Sequence, residues 1–127
     1  MTDPRPAHKT ALRDLGALLA APVRRGASLG HWRWSVRQHL AGVRDLLVTQ
    51  STQHENAWLA ARGGTVLRER DTLLARLSAV GPRVLEAEDV TSVRIELTRL
   101  VGDVHHHLQR VHDLAYDEVE LELGGSE

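Results

Sequence analysis

The segment VTSVRIELTRLVGDVHHHLQRVHDLAYDEVELEL, residues 90–123, decides how this chain folds. Val90, Val93, Leu97, Val101, Val104, Leu108, Val111 and Ala115 recur at steps of three or four. That spacing lines apolar side chains along one face of a helix. Four of the eight histidines, His105, His106, His107 and His112, sit in the same segment. Function turns on which of them face a core.

Working outward, Asp89 or Thr91 is placed to cap this helix, and Gly124-Gly125 to stop it. Upstream, Thr65 to Glu86 (TVLRERDTLLARLSAVGPRVLE) reads as a third helix, with Gly81-Pro82 expected to kink or interrupt it. A second helix is expected from His31 to Thr49, its buried stripe being Trp32, Val36, Leu40, Val43 and Leu47. The polar run QSTQHENAW predicts a break near Gln50 to Gln53, then a short helical piece from Glu55 to Arg62 closed by Gly63-Gly64. A first helix is expected from His8 to Ala21, with Leu12, Leu15 and Leu19 in register. Residues 1–7, with Pro4 and Pro6, read as a disordered lead and 124–127 as a short tail. No stretch alternates with the period of a strand. The expectation is all-α: an antiparallel up-and-down four-helix bundle over residues 8–123.

Composition narrows the function classes. Sixteen basic and 17 acidic residues nearly cancel, which gives no electrostatic case for nucleic acid or an anionic membrane. Three Trp, one Tyr and no Phe leave the core to Leu, Val and Ala, and the absence of cysteine removes disulfides, thiolate metal sites and thiol nucleophiles. The opening MTDPRPAHKT lacks the apolar centre of a secretory signal, and no run of about 18 apolar residues offers a membrane span. The expected location is the cytoplasm.

With the fourth helix centred on Leu97, Val104, Leu108 and Ala115 and about 100° per residue, His106 points away from the core. His105 and His112 fall on one shoulder, about 60–80° off centre, and His107 on the other, near Leu100 and Leu114. Neighbouring residues do not share a face, so the HHH run is expected to spread around the rod. His107 and the His105/His112 pair are the only ones able to turn inward. His8 falls in the apolar register of the first helix, His39 flanks the second helix's stripe, His31 is expected in solvent, and His54 faces inward only if the second helix is unbroken.

The early His8 followed by leucines, and the closing run VHHHLQRVHDLAYDEVELELGG, resemble the hemerythrin-like (HHE cation-binding) domains. His107, Asp113, Leu114, Tyr116, Asp117, Gly124 and Gly125 carry the resemblance to the last helix of bacterial members. It implies a four-helix bundle with a non-haem di-iron centre that binds or senses oxygen, nitric oxide or peroxide. Metal-binding members present a His on the first helix, HxxxE on the second, HxxxH on the third and HxxxxD on the fourth. Two ligands four residues apart share a helix face, where carboxylates bridge metals about 3.5–4 Å apart. This chain departs from that pattern. Leu46, Leu47 and Val48 stand where the second-helix motif belongs, and the third helix has RERD (Arg68, Glu69, Arg70, Asp71) and no histidine. His112 and Asp117 have the HxxxxD spacing but face away from the apolar stripe.

The sequence therefore points to a hemerythrin-like bundle that has lost the di-iron site and serves as a non-enzymatic binding or interaction protein, with no cofactor expected. The alternative is a sensor or carrier holding iron, di-iron or mononuclear, through His8, His107, His112 and Asp117. Haem held by an inward histidine is a remote third. No serine elbow or phosphate loop suggests an enzyme. Trp34 lies about 160° from Val36 and should be exposed beside Arg37, which makes the two candidate interface residues for a homodimer or another protein partner.

Overall fold

The computed structural model describes the backbone of residues 4–21, 26–53 and 64–124, and side chains across 10–21, 28–49 and 64–114. Four helices and no strand occur among the described residues: α1 (Pro4–Ala20), α2 (Ala27–Gln53), α3 (Gly64–Glu86) and α4 (Val90–Gly124). α1 packs on α2 and α4, and α3 packs on the same two, so the helices close a ring around one core.

Each boundary has a local cause. The lead expected over 1–7 is helical from Pro4, because a first helical turn needs no backbone donor and proline's fixed φ suits it. Gly26, at φ 85°, turns the chain into α2 in a conformation that side chains disfavour, and its carbonyl accepts from the Leu29 and Gly30 amides. The break expected at Gln50 to Gln53 does not occur: α2 continues through Gln53, since each residue added to a formed helix gains a hydrogen bond whatever its intrinsic propensity. His54, Trp58 and the piece expected over 55–62 lie outside the described residues. α3 is likewise uninterrupted at Gly81-Pro82. Pro82 is exposed and withholds only the one donor that would reach the Ser78 carbonyl, and the helix runs on to Glu86. Asp89, not Thr91, caps α4, with its Oδ1 accepting from the Ser92 amide at 3.1 Å.

The core is a Leu/Val seam. Leu15 and Leu19 of α1 meet Trp32, Val36, Leu40, Val43 and Leu47 of α2, Leu73, Leu77, Val80 and Val84 of α3, and Val93, Leu97, Leu100 and Val104 of α4. Each such side chain contributes about 1.5–3 kcal/mol by leaving water. On α4 the buried set is Val93, Leu97, Leu100, Val104, His107 and Val111. The spacing alternates four and three, a heptad seam, whereas Leu108, expected at the centre, is only half-buried. A helix wound about its neighbours keeps a 3.5-residue period, so the stripe drifts relative to a straight 3.6-residue reading. That drift carries Leu100 and His107 from the shoulder into the seam.

Cross-helix hydrogen bonds close the helix ends. Arg94 of α4 donates from Nε to the Leu19 carbonyl at 2.5 Å and from Nη2 to that of Ala21 at 2.8 Å, and Trp32 Nε1 donates to Leu18 O at 3.0 Å. Arg33 of α2 donates in the same way to the Leu85 and Ala87 carbonyls at the end of α3. Terminal carbonyls have no partner within their own helix, and a guanidinium satisfies two at once while facing the negative end of the helix dipole. At Gly42 a Cβ would stand 3.1 Å from that of Ala11, which sets the close approach of α1 and α2. No helix among the described residues is long and apolar enough to cross a membrane.

Candidate functional site

Three Arg–carboxylate pairs run along the α3–α4 contact: Arg83 with Glu96, Arg76 with Asp103 at 2.7 Å, and Glu69 with Arg110 at 2.5 Å. The partners step by seven on both helices, downward on α3 as upward on α4, and all but Glu69 directly precede a buried seam residue. Exposed pairs of this kind contribute about 0–1 kcal/mol each, so the first two chiefly fix register.

The third pair differs because His107 joins it. His107, 3% exposed, is the one buried polar side chain found among the described residues. Its Nδ1 lies 2.7 Å from Glu69 Oε1. An ionised carboxylate only accepts, so Nδ1 carries the hydrogen and donates it. Arg110 donates from Nε to the same oxygen at 3.1 Å and from Nη2 to Oε2 at 2.5 Å. Burial pushes the Glu69 carboxyl upward, but the hydrogen bonds and charges of Arg110 and His107 outweigh it and hold the group below its ordinary 4.5. The arrangement is a buried imidazole clamped to a carboxylate whose second oxygen faces a guanidinium. It orients one ring and neutralises one charge.

The residues singled out in the sequence do not converge. His105, His106 and His112 are exposed. His112 lies about 140° around α4 from His107, has a 74% exposed side chain, and has its Nδ1 3.8 Å from Asp113. The side chains of His8 and Asp117 lie outside the described residues. His39 is half-buried and donates from Nδ1 to the Ser35 carbonyl at 2.7 Å, within its own helix. His31 is exposed and stacks on Trp34, itself 59% exposed. The Arg37 guanidinium lies over α3 where a Cβ on Gly81 would stand.

A di-iron centre needs several histidines and bridging carboxylates aimed at one point. Among the described residues no group of three or more His, Asp or Glu side chains is so arranged. Both Glu69 oxygens are engaged by N–H donors of His107 and Arg110, so neither is free to ligate a cation in this arrangement. The described residues therefore do not fit the group that the resemblance implies.

Glu69 and Arg110 escaped the sequence reading. Glu69 was one letter of the RERD run that stands where a ligand pair belongs, 38 residues from His107. The readable signal is the heptad phase: 69, 76 and 83 set against 110, 103 and 96 carry opposite charges in every pair. No family model, curated protein or solved structure matches this chain.

Proposed function

We propose that this chain is a hemerythrin-like, antiparallel up-and-down bundle in which the Arg110 guanidinium takes the part of a metal cation, leaving a non-enzymatic binding or interaction protein of the cytoplasm. One observation carries the reading: Glu69 is held by Arg110 and His107 at once, so its negative charge is answered from within the protein. The three α3–α4 pairs, whose numbers fall on one helix as they rise on the other, support opposed directions for these two helices.

The test is metal analysis with an absorption spectrum on protein expressed with added iron. Colourless protein with metal far below one ion per chain is expected. Two irons per chain, with an oxo-bridged chromophore, would return the sensor or carrier reading with His8 and the α4 histidines as ligands.

A further inference from the structure

Residues seven apart on a helix lie nearly in line, drifting only about 20° per heptad. Four large apolar side chains are exposed among the described residues: Trp34, Val48, Leu85 and Ile95. The line through Ile95 continues to Gly102 and Gln109, and the line through Leu85 leads back to Ser78 and Asp71. Each of these is a single apolar residue in polar surroundings. On α2 the line is Trp34, Ala41, Val48, apolar at three successive heptad positions and exposed at all three. It lies on the side of α2 opposite the seam through Trp32, Val36 and Val43, while α1 and α3 are packed on that helix's other faces.

The charges beside the stripe suit a copy of itself. Arg37 and Arg44 flank it on one side, and Gln38 and Asp45 on the other. When two identical helices pair in parallel through such a stripe, each flank meets the opposite flank of its partner. When they pair antiparallel, each flank meets itself. Parallel pairing sets Arg44 against Asp45 of the second copy, twice, and Arg37 against Gln38. Antiparallel pairing turns Arg44 toward the Arg37 side of its partner and Asp45 toward Gln38, so neither meets an opposite charge. Parallel pairing also brings Trp34 to Trp34 and Val48 to Val48, with the small Ala41 allowing close approach between them.

We propose that two copies of this chain pair side by side through the Trp34–Ala41–Val48 stripe of α2, with the two α2 helices parallel. The proposal deepens the interaction reading and names its partner, a second copy. Sedimentation of chelator-treated protein tests it separately: metal content bears on the functional reading alone, and molecular weight on the pairing alone.

Wild type should show a concentration-dependent dimer, and Trp34→Ala, an exposed position whose loss leaves the core intact, should weaken it by about 30-fold. Arg44→Asp mixed with Asp45→Arg should associate more tightly than either variant alone, since only the mixture places opposite charges face to face. The chain has no cysteine, so Val48→Cys should cross-link to itself on mild oxidation. The proposal is overturned by a monomer at millimolar concentration or by a dimer indifferent to Trp34→Ala. Equal association of the charge variants alone and mixed, or a Val48→Cys dimer that does not cross-link, would overturn the parallel arrangement.

Discussion

His107 of α4 and Glu69 of α3 are joined across the bundle by a 2.7 Å hydrogen bond whose imidazole is almost wholly buried. A buried donor deprived of its acceptor costs about 1–3 kcal/mol, more than an exposed ion pair is worth. Glu69→Ala should therefore lower the urea midpoint by an amount equal to about 2–3 kcal/mol with unchanged slope. Glu69→Gln, which keeps an acceptor for His107, should cost less. Asp103→Ala, which breaks only the exposed pair with Arg76, should cost about 1 kcal/mol or less. A Glu69→Ala effect no larger than that of Asp103→Ala would mean the buried bond is not holding α3 to α4.

The same carboxylate gives the fold a defined pH dependence. Its folded-state pKa is depressed below 4.5, so its contribution is fully present above that value and is lost as pH falls through the folded pKa. The stability difference between wild type and Glu69→Gln should shrink as pH falls below the unfolded carboxylate range. Denaturant titrations at a series of pH values measure this. A difference that grows as pH falls through the carboxylate range would contradict the sign.

Arg94 ties the start of α4 to the end of α1 through the Leu19 and Ala21 carbonyls. Arg94→Ala should cost about 1–2 kcal/mol and loosen the last turn of α1. The Ala21 amide, bonded to the Ala17 carbonyl at 3.1 Å, should then exchange with solvent faster. Unchanged exchange there would show that the turn does not need the guanidinium.

Leu97 and Ile95 are two residues apart and opposite in environment, one fully buried and the other 49% exposed. Leu97→Ala should cost about 2–5 kcal/mol, while Ile95→Ala should stay within about 0.5 kcal/mol. Thermal or urea unfolding of both variants checks the phase of α4. Comparable losses would place the helix in the wrong rotation.

Much of this was readable from spacing. The Leu97–Val104 stripe marks the helical class, Trp32 falls inside and Trp34 outside, and local capping chemistry narrows the cap to Asp89 or Thr91, of which Asp89 bonds the Ser92 amide. His107 sits in the seam, not on the shoulder where a straight 3.6-residue helix puts it, because the buried set on α4 repeats every 3.5 residues. The continuation of α2 through Gln53 was missed because residue propensity is weaker than the gain from extending a formed helix. Glu69 and Arg110 were hidden for another reason: their meaning lies in a partner on another helix, and only the α3–α4 register reveals it.

Cobalt(II) titration of metal-free protein, followed by NMR at the histidine rings, tests most directly whether Arg110 and Glu69 have closed the position that a metal would fill. The expected result is that the exposed His105, His106 and His112 respond weakly and late, while the His107 ring and its Nδ1 hydrogen stay unchanged. Stoichiometric broadening of His107 at the first additions, with loss of the Nδ1–Glu69 hydrogen bond, would contradict it.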